Sequence, residues 1–230
     1  MPTVKVRDIV RDVETILQDY NLRWPRIETQ SWINKAYQAI SNERPDAHVK
    51  VGTFTCTAND TRQDLASVFA TGLTVVDVTR NLGATSNKRA ITVLNKKQLD
   101  DQRPLWHAQQ TTVNIEHFCY DPRDPKGFFV YPPPATGAAV EIVYSEVPAG
   151  HTLTEAELDP DTGSAEVIRI DDTYVPAIIA YVLAKSYDKD QDYAENAERS
   201  IRAMNEFATL MSKKTATDLA IAPKASGNNA

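Results

Sequence analysis

The sequence predicts an α+β protein in which helix pairs from the two chain ends form a four-helix bundle, with a small antiparallel β-sandwich or barrel lobe inserted between them. Three observations carry this expectation. Apolar residues recur at helical spacing over residues 1–47 and again over 171–211. Between them, over 48–147, the period falls to two, and clusters of Gly, Pro, Asn and Asp punctuate short apolar runs. A chain of 230 residues that is 42% hydrophobic has enough apolar surface for one substantial core, or for one core and a smaller lobe.

The first helix runs from about Lys5 to Gln18, with Val6, Ile9, Val10, Val13, Ile16 and Leu17 at helical spacing, and Asn21 breaks it. Trp24-Pro25 places a proline where a second helix starts, and Trp32, Ile33, Ala36, Tyr37 and Ile40 share a face until Arg44-Pro45. From His48 the alternation Val49, Val51, then Phe54, Cys56 after a shift at Gly52 marks a strand that ends in a turn at Ala58-Asn59-Asp60. Further strands are predicted over Leu73–Thr79, Ala90–Leu94, Val113–Tyr120, Phe128–Tyr131 and Val140–Val147. Asp121 to Gly127 has hairpin-loop chemistry, and Pro132-Pro133-Pro134 forces an extended exit.

The stretch 148–170 is polar and acidic and lacks apolar periodicity, so it reads as a surface loop or extension that orders on assembly. Asp171-Asp172-Thr173 precedes an apolar helix with Val175, Ile178, Ile179, Val182 and Leu183 on its core face, and Asp188–Asp192 makes the bend. The last helix, about Tyr193 to Met211, carries a stripe of Ala197, Ile201, Met204, Phe207, Ala208 and Met211. Residues 212–230, poor in apolar anchors, read as a flexible tail. No internal repeat is visible.

Catalytic and metal patterns do not assemble. There is no Gly-x-Ser-x-Gly elbow, and Gly83-Ala-Thr-Ser-Asn-Lys88 lacks the second glycine and the Ser or Thr of a phosphate loop. His48, His107, His117 and His151 are scattered, without metal-ligand spacing. Asp159-Pro-Asp161-Thr-Gly163 resembles a calcium loop only at its start, because Ile170 stands where the closing glutamate belongs. Asp100-Asp101 and Asp171-Asp172 suit loops and helix caps. No cofactor, metal ligand or catalytic residue is assigned, and the expectation is a non-enzymatic protein.

A net charge of −6 argues against gripping nucleic-acid phosphates, which requires a basic face. The aromatic run His117, Phe118, Tyr120, Phe128, Phe129, Tyr131 is flanked by charges of mixed sign, which favours a sheet core or a subunit contact over a base-stacking platform. No window spans a bilayer and no secretion signal precedes the first helix, so the product is expected in the host cytoplasm, with no membrane partner, with Cys56 and Cys119 reduced and with Asn59-Asp-Thr61 read as a turn.

Several stretches in a fixed order carry a family likeness: Arg23-Trp-Pro-Arg-Ile-Glu28, Glu43-Arg-Pro-Asp-Ala47, Arg80-Asn-Leu-Gly83, Arg103-Pro-Leu-Trp-His-Ala108, Asp121-Pro-Arg-Asp-Pro125 with Phe128 to Pro134, and Asp171-Asp-Thr-Tyr-Val-Pro-Ala177 followed by Lys185-Ser-Tyr-Asp-Lys-Asp190. Together they resemble the head-to-tail adaptor (connector) proteins of short-tailed bacteriophages and related prophages, over nearly the whole chain. The resemblance implies a structural virion protein at the head-tail junction: a homo-oligomeric ring, usually a dodecamer, held between the portal protein and the tail or nozzle proteins. The ring lines a channel through which double-stranded DNA passes without specific binding. It implies no catalytic residues.

Given that role, a ring needs two different sticky faces per subunit, for which the polar helix faces and the ends of the β lobe are candidates. Negative charge repeated around a lumen would let DNA slide. The tail residues Lys213, Lys214, Leu219, Ile221 and Lys224 are candidate portal contacts. The rival reading is a β-sandwich tail or capsid accessory module that binds a host glycan through Trp106 and the aromatic strands.

Overall fold

The computed structural model describes residues 2–190 and 194–221, with side chains described over 2–190 and 195–214. In chain order its elements are α1 (Val6–Leu17), α2 (Arg26–Glu43), β1 (Val49–Thr55), β2 (Arg62–Asp64), β3 (Gly72–Asn81), β4 (Thr92–Val93), α3 (Lys96–Gln102), β5 (His117–Tyr120), β6 (Gly127–Tyr131), β7 (Ala139–Glu146), α4 (Val175–Lys189) and α5 (Ala194–Ile221). The chain is thus mixed α+β, with five α-helices and two sheets among the described residues. It divides into two compact units, a helical one of Met1–Arg44 with Pro148–Ala230 and a β one of Pro45–Val147.

In the helical unit α1 buries Val6, Ile9, Val10 and Val13, and it ends where Gln18 turns left-handed at φ 53°. Ile16, expected on the same stripe, is half exposed. The second helix, α2, buries Ile33, Ala36, Tyr37 and Ile40 and stops at Arg44, ahead of Pro45. The central helix is α4, which packs against α5, α2 and α1. Buried Ala177, Ala180, Ala184 and Ser186 keep its surface low enough for neighbours to approach on several sides.

That smooth surface also sets the rotation of α5. Ser200 Oγ donates to the Ala184 carbonyl at 2.9 Å, Asn196 Nδ2 donates to Asp190 Oδ2 at 2.8 Å, and Phe207 meets Tyr181 edge-on at 5.6 Å between centroids. The buried face is therefore Asn196, Ala203, Phe207 and Met211, and Ile201, expected in the core, is 63% exposed. Helix α5 also continues to Ile221, where the sequence predicts a tail from 212. Residues 212–221 contain no Gly or Pro, and the first helix breaker is Pro223.

The β unit has a three-stranded sheet in the order β1-β7-β3 and a four-stranded sheet in the order β2-β6-β5-β4. Phe54, Val78, Val140 and Ile142 from the first meet Phe118, Phe128 and Val130 from the second in one buried cluster, the arrangement of a sandwich. Two expectations are corrected. Among the described residues no barrel closes, because β1 and β2 remain unjoined edges. The lobe is also not wholly antiparallel: β4 runs parallel to β5, since residues 89–91 first cross from β3, with Ile91 N–H donating to Thr79 O at 2.9 Å.

Helix α3, absent from the expected elements, is capped by Asn95, whose side chain accepts the Lys97 N–H at 2.9 Å. It covers a second cluster of Leu99, Trp106, Cys119 and Tyr131. In the hairpin loop Gly127 lets the Asp124 carboxylate lie close, with Gly127 N–H donating to Asp124 Oδ1 at 3.2 Å. The predicted shift at Gly52 is not there. The β1-β7 register runs unbroken from Val49↔Ser145 to Thr55↔Ala139, so Phe54 faces the core while Val49 and Val51 face out. Cys56 and Cys119 are free and buried, and burial pushes the Cys56 thiol up to about 12. Among the described residues no helix is long and apolar enough to cross a membrane.

Candidate contact surfaces

The stretch 148–170, expected as a loose surface loop, is an ordered strap of the helical unit. One face of α2 holds its first half. Gln30 Oε1 accepts the Leu153 N–H at 2.7 Å, and Asn34 brackets His151 by accepting its N–H at 2.8 Å and donating to its carbonyl at 3.0 Å. Spaced at 30, 34 and 37 along α2, Gln30, Asn34 and Tyr37 form a polar stripe that supplies the hydrogen bonds a strand neighbour would otherwise provide. Polar residues of α1 hold the second half: Arg7 donates to Gly163 O at 2.6 Å and Arg11 to Pro160 O. Val6 N–H donates to Glu166 O at 3.0 Å, and Ile168 N–H to Val4 O at 2.9 Å. Leu158, Ile168 and Ile170 are buried beneath. The sequence signal was present as three isolated apolar residues, too widely spaced for a periodicity argument.

Near the start of the strap the His151 side chain is fully buried. Its Nδ1 donates to Glu166 Oε1 at 2.5 Å and its Nε2 accepts the Tyr37 hydroxyl at 2.8 Å, the tautomer that the carboxylate selects. Arg169, the other charged group here, donates to Glu166 at 2.9 Å. Burial lowers the His151 pKa against the opposing pull of Glu166, and burial pushes Tyr37 up to about 12. Arg169 first, and His151 after it, hold Glu166 below the usual carboxylate value.

Unfolded His151 takes up its proton near pH 6.5, before the native side chain does, so the folded state loses stability as pH falls through that value. Glu166 adds a further loss below about pH 4.5, where the unfolded carboxylate protonates first. Urea unfolding midpoints should therefore fall between about pH 7.5 and pH 5.5, and His151→Gln should flatten that slope. An unchanged slope in the variant would assign the effect to other groups.

Most of the remaining polar residues singled out by sequence have structural partners, and Asp101 is exposed on α3. Asp171 caps the turn before α4 by accepting the Thr173 N–H at 2.9 Å, and Asp172 accepts the Thr3 N–H at 2.9 Å and its hydroxyl at 2.6 Å. Asp100 takes the Trp106 indole N–H at 2.8 Å and Lys96 at 2.7 Å, contacts that hold its pKa low. His107 and His117 pair through Nδ1 with Thr61 and Thr92, each at 2.6 Å. Among the described residues no group of three or more His, Cys, Asp or Glu could hold a metal. Trp106, the lead residue of the glycan reading, is fully buried, as is Phe128, and Phe118 and Tyr131 are nearly so. Of the aromatic run, Phe118, Phe128 and Tyr131 belong to the core, and His117, Tyr120 and Phe129 are partly buried.

Of the candidate tail contacts, Lys213 and Lys214 lie on α5 beside a cleft of about 300 Å³ formed with Thr173, Tyr174, Pro176 and Met211. The Lys214 ammonium sits 4.9 Å above the Tyr174 ring. Leu219 and Ile221 belong to α5 by backbone, their side chains lie outside the described set, and Lys224 lies outside the described residues. A larger open groove of about 920 Å³ is lined by Ile16, Arg23, Trp24, Tyr187, Asp190 and Arg199. Trp24 donates to Ser186 O at 3.0 Å at its floor, and Ile16 on its lining, with Tyr20 and Leu22 in the α1–α2 turn, is exposed. Sequence reasoning missed this patch because Ile16 was placed in the core.

No curated protein matches the chain. Among the described residues, apolar side chains are left outward on α1, the α1–α2 turn, α5 and β1. The sequence model of one family, described as SU10 adaptor protein, matches residues 4–227, both units included, and the chain belongs to that family of structural phage adaptor proteins.

Proposed function

We propose that the chain is the head-to-tail adaptor subunit of a tailed phage, forming a homo-oligomeric ring, dodecameric in the first instance, between the portal protein and the tail or nozzle proteins. The family match over residues 4–227 carries this reading. In it the four long helices act together as one bundle, and the β unit is an inserted lobe. The ring assembles in the host cytoplasm and remains in the virion. A ring of copies each carrying −6 presents DNA with a lumen that repels phosphate, so the genome is guided without being held.

Exposed Ile16, Tyr20, Leu22 and Ile201 on the helical unit supply surface for the heterologous contacts of a ring. The C-terminal segment, with Lys213, Lys214, Leu219, Ile221 and Lys224, is the proposed portal contact. Native mass spectrometry of the chain mixed with purified portal tests the reading: the expected species is one portal carrying a fixed multiple of this chain, and absence of any complex would overturn it. Deleting residues after Ser212 should weaken portal binding about tenfold or more, the worth of at least one or two lost contacts, while the subunit stays soluble. Unchanged binding would remove the segment from the portal interface.

A further inference from the structure

The β unit manages three of its four sheet edges and leaves one open. On β3 the ladder is interrupted by three register shifts, and its flank is engaged by Arg89 and Ile91. On the second sheet β2 is three residues long, with exposed Arg62 and Asp64 on it, and β4 is two residues long. Shortness, bulges and charge are the usual devices against stray strand pairing. Strand β1 is seven residues long, regular and free of Pro, and its one charged residue, Lys50, pairs with Glu146 of β7 and not with anything beyond the open edge.

Its geometry shows what faces outward. The His48 carbonyl accepts from Glu146 N–H at 3.2 Å and Cys56 N–H donates to Ala138 O at 3.0 Å, so the even-numbered residues exchange both hydrogen bonds with β7. The odd-numbered residues Val49, Val51, Thr53 and Thr55 therefore direct their N–H and C=O groups away from β7. All four are exposed and β-branched, and none is charged. Such residues stiffen a strand and pack well across a ladder.

We infer that β1 is a docking edge that accepts an extended, uncharged strand from a different virion protein by β-augmentation, with residues alternating between β-branched and small or polar. This rests on the adaptor reading above. The donor is assigned to another polypeptide because the remaining sheet edges of the β unit, being short, bulged or engaged, offer β1 of a second copy no matching strand. Pairing of β1 with β1 of a second copy makes a two-fold contact, which cannot repeat around a ring.

The test uses the full chain and Val51→Pro, which removes one outward N–H and leaves the β7 ladder intact. Val51→Lys, which keeps the backbone amide and adds an edge charge, serves if the proline variant does not fold. The probe is a short blocked peptide of alternating threonine and valine with lysine at each end. Hydrogen exchange should slow at Val49, Val51, Thr53 and Thr55 on addition of the peptide and stay unchanged at the even-numbered residues. Val51→Pro should bind about tenfold more weakly, the equivalent of one lost main-chain hydrogen bond, and Val51→Lys should bind more weakly through its added edge charge.

Absence of slowing at millimolar peptide, or equal slowing in the variants, would overturn the inference. So would concentration-dependent self-association of the wild-type chain that Val51→Pro abolishes, which would give the edge to a second copy. A portal complex that still forms in any of these cases leaves the adaptor role standing and removes only the docking edge.

Discussion

Arg26→Ala should destabilise the helical unit by about 2–4 kcal/mol, read as a lowered midpoint in chemical denaturation. Arg26 Nε lies 2.6 Å from Glu14 Oε1 and its Nη1 lies 2.9 Å from Asp159, joining α1, α2 and the strap in one place. The Glu14 side chain is only 7% exposed and that of Arg26 15%, so truncating the guanidinium strands a nearly buried carboxylate. Breaking such a pair costs about 3–5 kcal/mol when burial is complete, and the partial exposure here lowers the expectation by about 1 kcal/mol. Adding Glu14→Gln should recover part of the loss. Arg26→Lys should not restore wild-type stability, because an ammonium cannot serve two carboxylates in the fixed fork of a guanidinium. A loss below about 1 kcal/mol would mean the cluster behaves as a surface pair.

Trp106→Ala should cost the β unit about 3–5 kcal/mol, the usual price of removing a large aromatic from a packed core. The indole is fully buried, stacks on His107 at 3.7 Å, and meets Phe129 and Tyr131 edge-on at 6.1 and 6.3 Å. Trp106→Phe should restore much of the packing but leave Asp100 without its indole donor, an effect of about 1–2 kcal/mol. The same experiment bears on the glycan alternative. A tryptophan that holds a core together changes stability when removed, whereas a binding-platform tryptophan changes affinity and leaves stability nearly alone.

The parts of the fold legible in the sequence are those with a single strong period. The helices α1, α2 and α4 and strands β3, β6 and β7 lie close to where periodicity puts them, because each carries an unbroken apolar pattern that ends up buried. What was missed follows from residues that satisfy their backbone in other ways. The strap 148–170 bonds to side chains of α1 and α2, a pairing with no local signature. Helix α3 is short and exposes most of its surface, so only its Asn95 cap announces it. On α5, Ile201 read as core because hydrophobicity was weighed without regard to what α4 presents, which is a surface of alanine and serine that favours Ala203 and Ser200 in contact.

Of the candidate contact surfaces, the end of α5 was visible as a lysine-bearing segment, but its helical state was not. Composition suggested a tail, whereas the absence of a breaker before Pro223 is the better guide. The open edge of β1 shows in the sequence as Val49 and Val51, whose apolar alternation reads as inward-facing and so implies a shift at Gly52 that the unbroken register does not contain.

Electron microscopy of the purified chain mixed with its portal tests the proposed ring. A closed ring stacked coaxially on the narrow end of the portal, with a channel wall of net negative charge, is expected. Particles in which the portal is bare, or in which this chain sits elsewhere on it or surrounds a basic channel, would contradict it.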